Sequence, residues 1–212
     1  QYSIVMKWFF RRKREKSGKS LDTSGVKVIG VGGGGCNIVN HIAENNFNMG
    51  SLAVCDMDAD VLGRTNVEEK WQLGSNGLGA GNNPETARQE AMKQIKDIRA
   101  MIMNTKVLFV VSCLGGGTGS GVTPIITREA YNKGISTFAM VTLPFEFEGE
   151  HKFRQAFWGM QQMEHFADGV FFLNNQFLLR QKHDKKMNYA FEDADSLIQG
   201  VIESLINSAC ND

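Results

Sequence analysis

The sequence predicts an α/β protein, a three-layer α/β/α arrangement around a mostly parallel, Rossmann-like sheet. Three observations predict it. From Val26 onward, short β-rich runs alternate with longer helical ones, and parallel neighbours need a helix-length crossover between them. An apolar octamer, Val107-Leu-Phe-Val-Val-Ser-Cys-Leu114, runs directly into Gly115-Gly-Gly-Thr-Gly-Ser-Gly121. An earlier β-rich run, 26–31, ends in Gly30-Val-Gly-Gly-Gly-Gly35 in the same way. A strand that ends in glycines and opens a helix is a phosphate cradle. Consecutive N–H groups turn onto an anion without Cβ clashes, and the helix adds its positive end. A flexible linker is the competing reading of 115–121, but linkers do not sit between such an octamer and an amphipathic segment, here Ile125 to Asn132.

The elements follow in order. Residues 26–31, β-branched and apolar, read as a buried strand, and 36–46 as the helix after its glycines. A second strand covers 52–55, and a helix 84–103 opens on a proline. The octamer supplies a strand at 107–112, followed by a helix at 122–133 with Pro124 near its start, where a missing N–H costs nothing. Strand 135–141, helix 150–166, strand 170–173 and helix 190–206 complete the alternation. Ligands of such sheets bind beyond the carboxyl ends of the strands.

At 212 residues, with 42% hydrophobic and 22% charged content, the chain suits one large soluble domain and contains no bilayer-spanning run. Its net charge of zero hides an asymmetry. Residues 1–21 hold seven Lys or Arg against Glu15 alone, leaving 16 basic and 22 acidic residues elsewhere. A mildly acidic body argues against nucleic-acid binding. The N-terminal segment pairs aromatics (Trp8, Phe9, Phe10) with the Arg11-Arg-Lys-Arg14 cluster, which suits a solvated tail or contact of residues 1–20 with a membrane surface. It does not read as a signal peptide, because the charges follow the apolar part instead of preceding it. Cys36, Cys55, Cys113 and Cys210 are widely spaced and form no C-x-x-C pair, which suggests reduced thiols in a cytoplasmic protein.

Read alone, the first glycine loop favours a nicotinamide dinucleotide. It matches G-x-G-x-x-G between strand and helix, and Asp56 lies 21 residues beyond Gly35, where a ribose-binding acid belongs. A dinucleotide needs one such loop. This chain has three, at 30–35, at Gly77-Leu-Gly-Ala-Gly81 and at 115–121, which implies a longer chain of phosphates. No G-x-x-x-x-G-K-[ST] occurs, and no lysine lies in any glycine loop. Phosphate charge then falls to backbone amides, the Thr118 hydroxyl, helix dipoles and a bound cation.

Together these motifs resemble the tubulin/FtsZ family of GTP-driven cytoskeletal proteins, and more closely its bacterial FtsZ branch. The 115–121 heptapeptide is close to diagnostic. Val28-Ile-Gly-Val-Gly-Gly-Gly-Gly-Cys-Asn37, Gly79-Ala-Gly-Asn-Asn-Pro-Glu85 and Pro144-Phe-Glu-Phe-Glu-Gly149 support it. The resemblance spans about Val26 to Ile206. It implies a GTP/GDP site with Mg²⁺ held through the phosphates, at an interface between subunits of a filament. Gly32, Gly33, Gly34, Gly35 and Asn37 match the first phosphate loop, Asp56 to Asp58 the second, and Ala80 and Gly81 the third. Gly115, Gly116, Gly117, Thr118 and Gly119 match the signature loop. Glu148, in the Pro144 motif, matches a ribose contact, with Lys152 where many members have arginine. Asn175, Phe191 and Asp195 match the base site.

The base site also has a physical reading of its own. Phe191 and Asp195 are four apart on one helix face, so a ring can stack on a purine while the carboxylate accepts from guanine N1–H and N2–H. Adenine lacks that donor pair. In the competing reading, Phe191 joins the apolar stripe of Ala194, Ile198 and Val201, and Asp195 is merely solvated.

Three departures from the family pattern stand out. Asp56 and Met57 replace the usual asparagine and threonine, and an added carboxylate repels a γ-phosphate unless Mg²⁺ bridges them. The third loop looks short between Leu73 and Gly77. The family's acidic catalytic loop and second domain would follow Asp212, so no catalytic residue is expected within this chain. The expected organisation is a tail (1–25), a GTP-binding domain (26–189) and a central helix (190–212). The expected function is the GTP-binding domain of an FtsZ-like cell-division GTPase, with subunits of its own kind or full-length FtsZ-type subunits as filament partners and water-orienting acids supplied in trans. A non-hydrolysing relative that caps filaments and a nicotinamide-binding module are the alternatives. His41, His151, His165 and His183 are scattered and read as solvated.

Overall fold

A computed structural model describes residues 23–176 and 187–210. Six parallel strands form one sheet: β1 (Val26–Val31), β2 (Ser51–Asp56), β3 (Glu69–Gln72), β4 (Val107–Cys113), β5 (Ser136–Leu143) and β6 (Gly169–Asn174), in the order β3-β2-β1-β4-β5-β6. The helices are α1 (Gly32–Glu44), α2 (Ala59–Gly63), α3 (Pro84–Lys93), α4 (Ile95–Met101), α5 (Gly117–Asn132), α6 (Glu150–Glu164) and α7 (Met187–Cys210). The layering expected from the alternation is present.

Strand residues alternate between two apolar layers. Ile29, Val31, Leu108 and Val110 pack on α3, α4 and α5 through Ala87, Ile98, Val122 and Ile126. Val28, Val54, Phe109 and Val111 pack on α1 and α7 through Val39, Ile42, Ile198 and Ile202. Ala139, Val141 and Val170 seat α6 on the outer half of the first face through Ala156 and Met163. No described helix is long and apolar enough to cross a membrane.

The structure corrects the expected elements in four places. Strand β3 was not expected, because Glu69-Lys-Trp-Gln72 has a single apolar residue. It is an edge strand pinned from a distance: Lys27 of β1 bonds both Glu69 oxygens, at 2.7 and 2.9 Å, and the Met101 carbonyl at 2.9 Å. Short helix α2 was also missed; Asp58 caps it by accepting from Asp60 N and Val61 N. The helix expected over 84–103 breaks at Gln94, whose side-chain oxygen accepts from Gly74 N. Helices α1 and α5 begin inside their glycine runs, at Gly32 and Gly117, so Pro124 lies within α5. Its missing N–H leaves the Ser120 carbonyl without its helical donor. Gly159 of α6 packs against that turn, where a Cβ would lie 2.9 Å from Ser120 O.

Glu129 on α5 is 3% exposed and is held by Arg99 of α4 at 2.7 Å and by Arg128 at 3.3 Å. Arg99→Ala leaves a buried carboxylate with its weaker partner. An expected loss of about 1–3 kcal/mol should be read in a urea unfolding midpoint.

Candidate functional site

The carboxyl ends of β1, β2, β4 and β5 open into one cleft of about 830 Å³. Two helices start at it without a side-chain cap. α1 follows Val31 and α5 follows Gly116, and neither N-cap residue bonds the first-turn N–H groups. By contrast, Asp58 caps α2, and Asn83 caps α3 through Glu85 N and Thr86 N. Uncapped first turns leave backbone donors and the positive ends of two helix dipoles for an anion.

The three glycine loops touch one another, as their number in the sequence suggested. Gly32, at φ +75°, packs on the α5 start, where a Cβ would sit 2.9 Å from Gly119 N. A Cβ on Gly117 would meet Ala80 Cβ and Asn83 N, both at 2.9 Å, so the third loop lies on the signature loop. The third loop is tied in turn to the second: Ala59 N donates to Gly77 O at 3.0 Å and Gly79 N to Met57 O at 3.1 Å.

Among the expected glycines two kinds emerge. Those packed into the protein include Gly35, where a Cβ would be 2.4 Å from Val111 O, and Gly119, where it would be 2.4 Å from Cys113 O. Gly35 therefore faces the backbone of β4 and does not line the cleft. Gly33 and Gly116 are different. Both line the cleft, and a Cβ on Gly33 would meet nothing closer than Val61 at 3.9 Å, while one on Gly116 would meet nothing within 4 Å.

Asp56 ends β2 and is 3% exposed. Its carboxylate accepts from Met57 N at 2.6 Å and Asp58 N at 3.3 Å, and it bonds the Thr118 side chain. Burial raises its pKa above the ordinary carboxylate value, with the Thr118, Met57 and Asp58 hydrogen bonds opposing the rise. Two residues expected to act separately thus form a pair. The other hydroxyl of the signature loop, on Ser120, is also engaged, by Gly115 N at 2.8 Å.

Glu148 is held between Phe145 N (2.8 Å) and Lys152 Nζ (2.7 Å), on the rim with Pro144. A side pocket of about 190 Å³ adjoins the cleft and contains Asn37, Asn175 and Asp195. Gly34, Cys113, Thr142 and Asn175 line both spaces. Asn175 is 7% exposed, and its Oδ1 is buried without a hydrogen-bond partner among the described residues. His41 Nδ1 lies 4.0 Å from Asp195 Oδ2. The side chain of Phe191 and the N-terminal segment lie outside the described residues.

Sequence reasoning passed over Cys113 and Thr142. Their signal was positional, since Cys113 is the last residue of β4 and Thr142 the penultimate residue of β5, where such sheets receive ligands. Burial pushes the Cys113 thiol up to about 11, which makes it a packing group and not a nucleophile. The strand order is also that of dinucleotide-binding sheets, so topology alone does not separate the candidate ligands.

The sequence profile of the Tubulin/FtsZ family, GTPase domain, matches residues 25–183. The chain belongs to the tubulin/FtsZ family. Within that family it is similar to the cell division protein FtsZ of Porphyromonas gingivalis, 39% identical over 189 residues, which cover 87% of this chain and 40% of that protein. The FtsZ of Pseudomonas aeruginosa is 37% identical over 187 residues, covering 86% of this chain and 48% of that protein. The chain thus spans less than half the length of these two curated relatives. An FtsZ dimer structure from M. jannaschii, described as empty, superposes with a TM-score of 0.81 at 28% identity, covering 89% of this chain and 56% of that one. The tubulin/FtsZ fold and its cell-division branch match the resemblance read from the glycine motifs. Nothing in these matches favours the filament-capping or nicotinamide alternatives.

Proposed function

We propose that this chain binds GTP and GDP in the cleft and serves as the nucleotide-binding part of a filament-forming GTPase of cell division. The observation that carries this reading is Gly116. Its backbone is extended (φ −94°, ψ 168°), so neither conformation nor packing requires a glycine there, and it lines the cleft at the uncapped start of α5, which fits an anion held against that first turn.

In this reading the first-turn N–H groups of α1 and α5, with Ala80 and Gly81 of the third loop, surround the phosphates. Glu148, fixed by Phe145 N and Lys152, meets the ribose hydroxyls. Asn175, whose Oδ1 has no partner among the described residues, takes the base together with Asp195 and Phe191. The donor set is almost wholly backbone amide and thus fits a phosphate chain, and Mg²⁺ bound to the nucleotide supplies further charge neutralisation. When water attacks the γ-phosphate, the amides of the two helix starts face oxygens whose charge grows. The acids that orient the water come from the next subunit of the filament.

Calorimetric titration with GTP, using ATP and NAD as competitors, tests the assignment. Wild type should prefer guanine, and Asp195→Ala should lose roughly 10- to 100-fold in GTP affinity, with ATP little changed. Equal competition by ATP or NAD against wild type would refute it.

A further inference from the structure

The second loop holds only the first half of the third. Ala59 N and Gly79 N tie residues 77–79 to it. Residues 80–82 have one hydrogen bond to another element among the described residues: Gln155 of α6 donates from Nε2 to Asn82 O at 2.8 Å. Asn82 needs such a hold, because its backbone is left-handed, at φ +56°, directly after Gly81 at +57°, a conformation that is costly for any residue but glycine. Gly117 lets this half of the loop approach the start of α5, with Ala80 Cβ and Asn83 N both 2.9 Å from where a Cβ would sit. A missing side chain permits that contact without fastening it.

Gln155 stands in a row of contacts. Residues 152, 155 and 159 share one face of α6. Lys152 pairs with Glu148 on the cleft rim at 2.7 Å, and its backbone oxygen lies 3.2 Å from where a Cβ on Gly115 would be. Gly159 packs on Ser120 of α5. One helix face thus meets the rim carboxylate, the signature loop, the third loop and α5. The chemistry of Gln155 argues against packing as its purpose. Its Oε1 is buried with no hydrogen-bond partner among the described residues, a cost to the fold that a methionine of similar length avoids. Asn82 is exposed, so water satisfies its carbonyl once the amide is removed.

Resting on the nucleotide reading above, we propose that Gln155 is a positioning residue for the nucleotide. Acting through Asn82 O, it fastens the third loop to α6. Ala80 and Gly81 then keep their place beside the phosphates, and a single helix sets their distance from the Glu148 carboxylate that meets the ribose.

Gln155→Met tests this by amide exchange in the nucleotide-free protein, followed by NMR, and by GDP calorimetry. The reporters are Asn83 N, bonded to Ala80 O, and Glu85 N and Thr86 N, bonded to Asn83 Oδ1. They should exchange about threefold or more faster than in wild type, while the amides of β1 and β4 stay within about twofold. GDP affinity should fall about 3- to 10-fold, the effect of one hydrogen bond. The inference is overturned if the three reporters exchange as in wild type. It is equally overturned if β1 and β4 loosen as much or the variant fails to fold, since Gln155 then serves packing. Faster exchange at the reporters with unchanged GDP affinity would remove this role and leave the guanine-site assignment intact. Wild type that binds no guanine nucleotide would remove both.

Discussion

Gly116→Ser should leave the protein folded and remove most of its nucleotide binding. The position is the N-cap of α5, where serine is among the preferred residues because its oxygen accepts from the first-turn N–H groups. Its backbone angles are open to any L-residue, and a Cβ would meet no atom within 4 Å. On the protein alone, serine should change stability by no more than about 0.5 kcal/mol, and a gain is as acceptable as a loss. On the complex the effect has the opposite sign. The added side chain occupies space facing the cleft, and its oxygen competes for the N–H groups that the anion needs. Overpacking of about 1–3 kcal/mol corresponds to a 5- to 150-fold loss in affinity. Thermal melting and GTP calorimetry on the same sample separate the two. A variant that melts like wild type and binds GTP equally well would show that Gly116 does not face the phosphates.

Such a contrast was not legible in the sequence, and the reason is physical. The heptapeptide 115–121 announces close approach of backbone to something, but a glycine's spacing does not say whether that something is a ligand or another strand. Gly35 and Gly119 make room for Val111 O and Cys113 O, whereas Gly33 and Gly116 face the cleft. The buried strands were legible because β1 and β4 are covered on both faces and are apolar apart from Lys27 and Ser112. Strand β3 was not, since its stability comes from Lys27, 42 residues earlier than Glu69. Helix starts were misplaced for a related reason. Glycine disfavours a helix interior by about 1 kcal/mol, yet α1 and α5 begin in glycine runs because tertiary contact with β4 and α3 requires them. The Asp56–Thr118 pair joins residues from two loops 62 positions apart, which no local pattern encodes.

The seat of α1 on β4 supplies the second large effect. A Cβ on Gly34 would lie 2.3 Å from Cys113 Sγ and 2.6 Å from Cys113 Cβ, so rotating the thiol away cannot relieve the clash. Gly34→Ala should therefore destabilise the fold by about 1–3 kcal/mol, although helix propensity alone favours alanine by about 1 kcal/mol. Nucleotide affinity should fall with it, because lifting the α1 start off β4 also moves Gly33 and breaks the contact between Gly32 and Gly119. Removing the obstacle tests the cause. Cys113→Gly alone loses a largely buried side chain and should cost about 1–2 kcal/mol. Combined with Gly34→Ala it should cost less than the sum of the two single changes by at least about 1 kcal/mol, a coupling confined to residues in direct contact. Chemical denaturation of the four proteins in that cycle measures the coupling. Simple additivity would mean that α1 slides along β4 to admit a methyl group. In that case the spacing of the two uncapped helix starts, and with it the phosphate cradle, would not be set by the glycine-thiol contact.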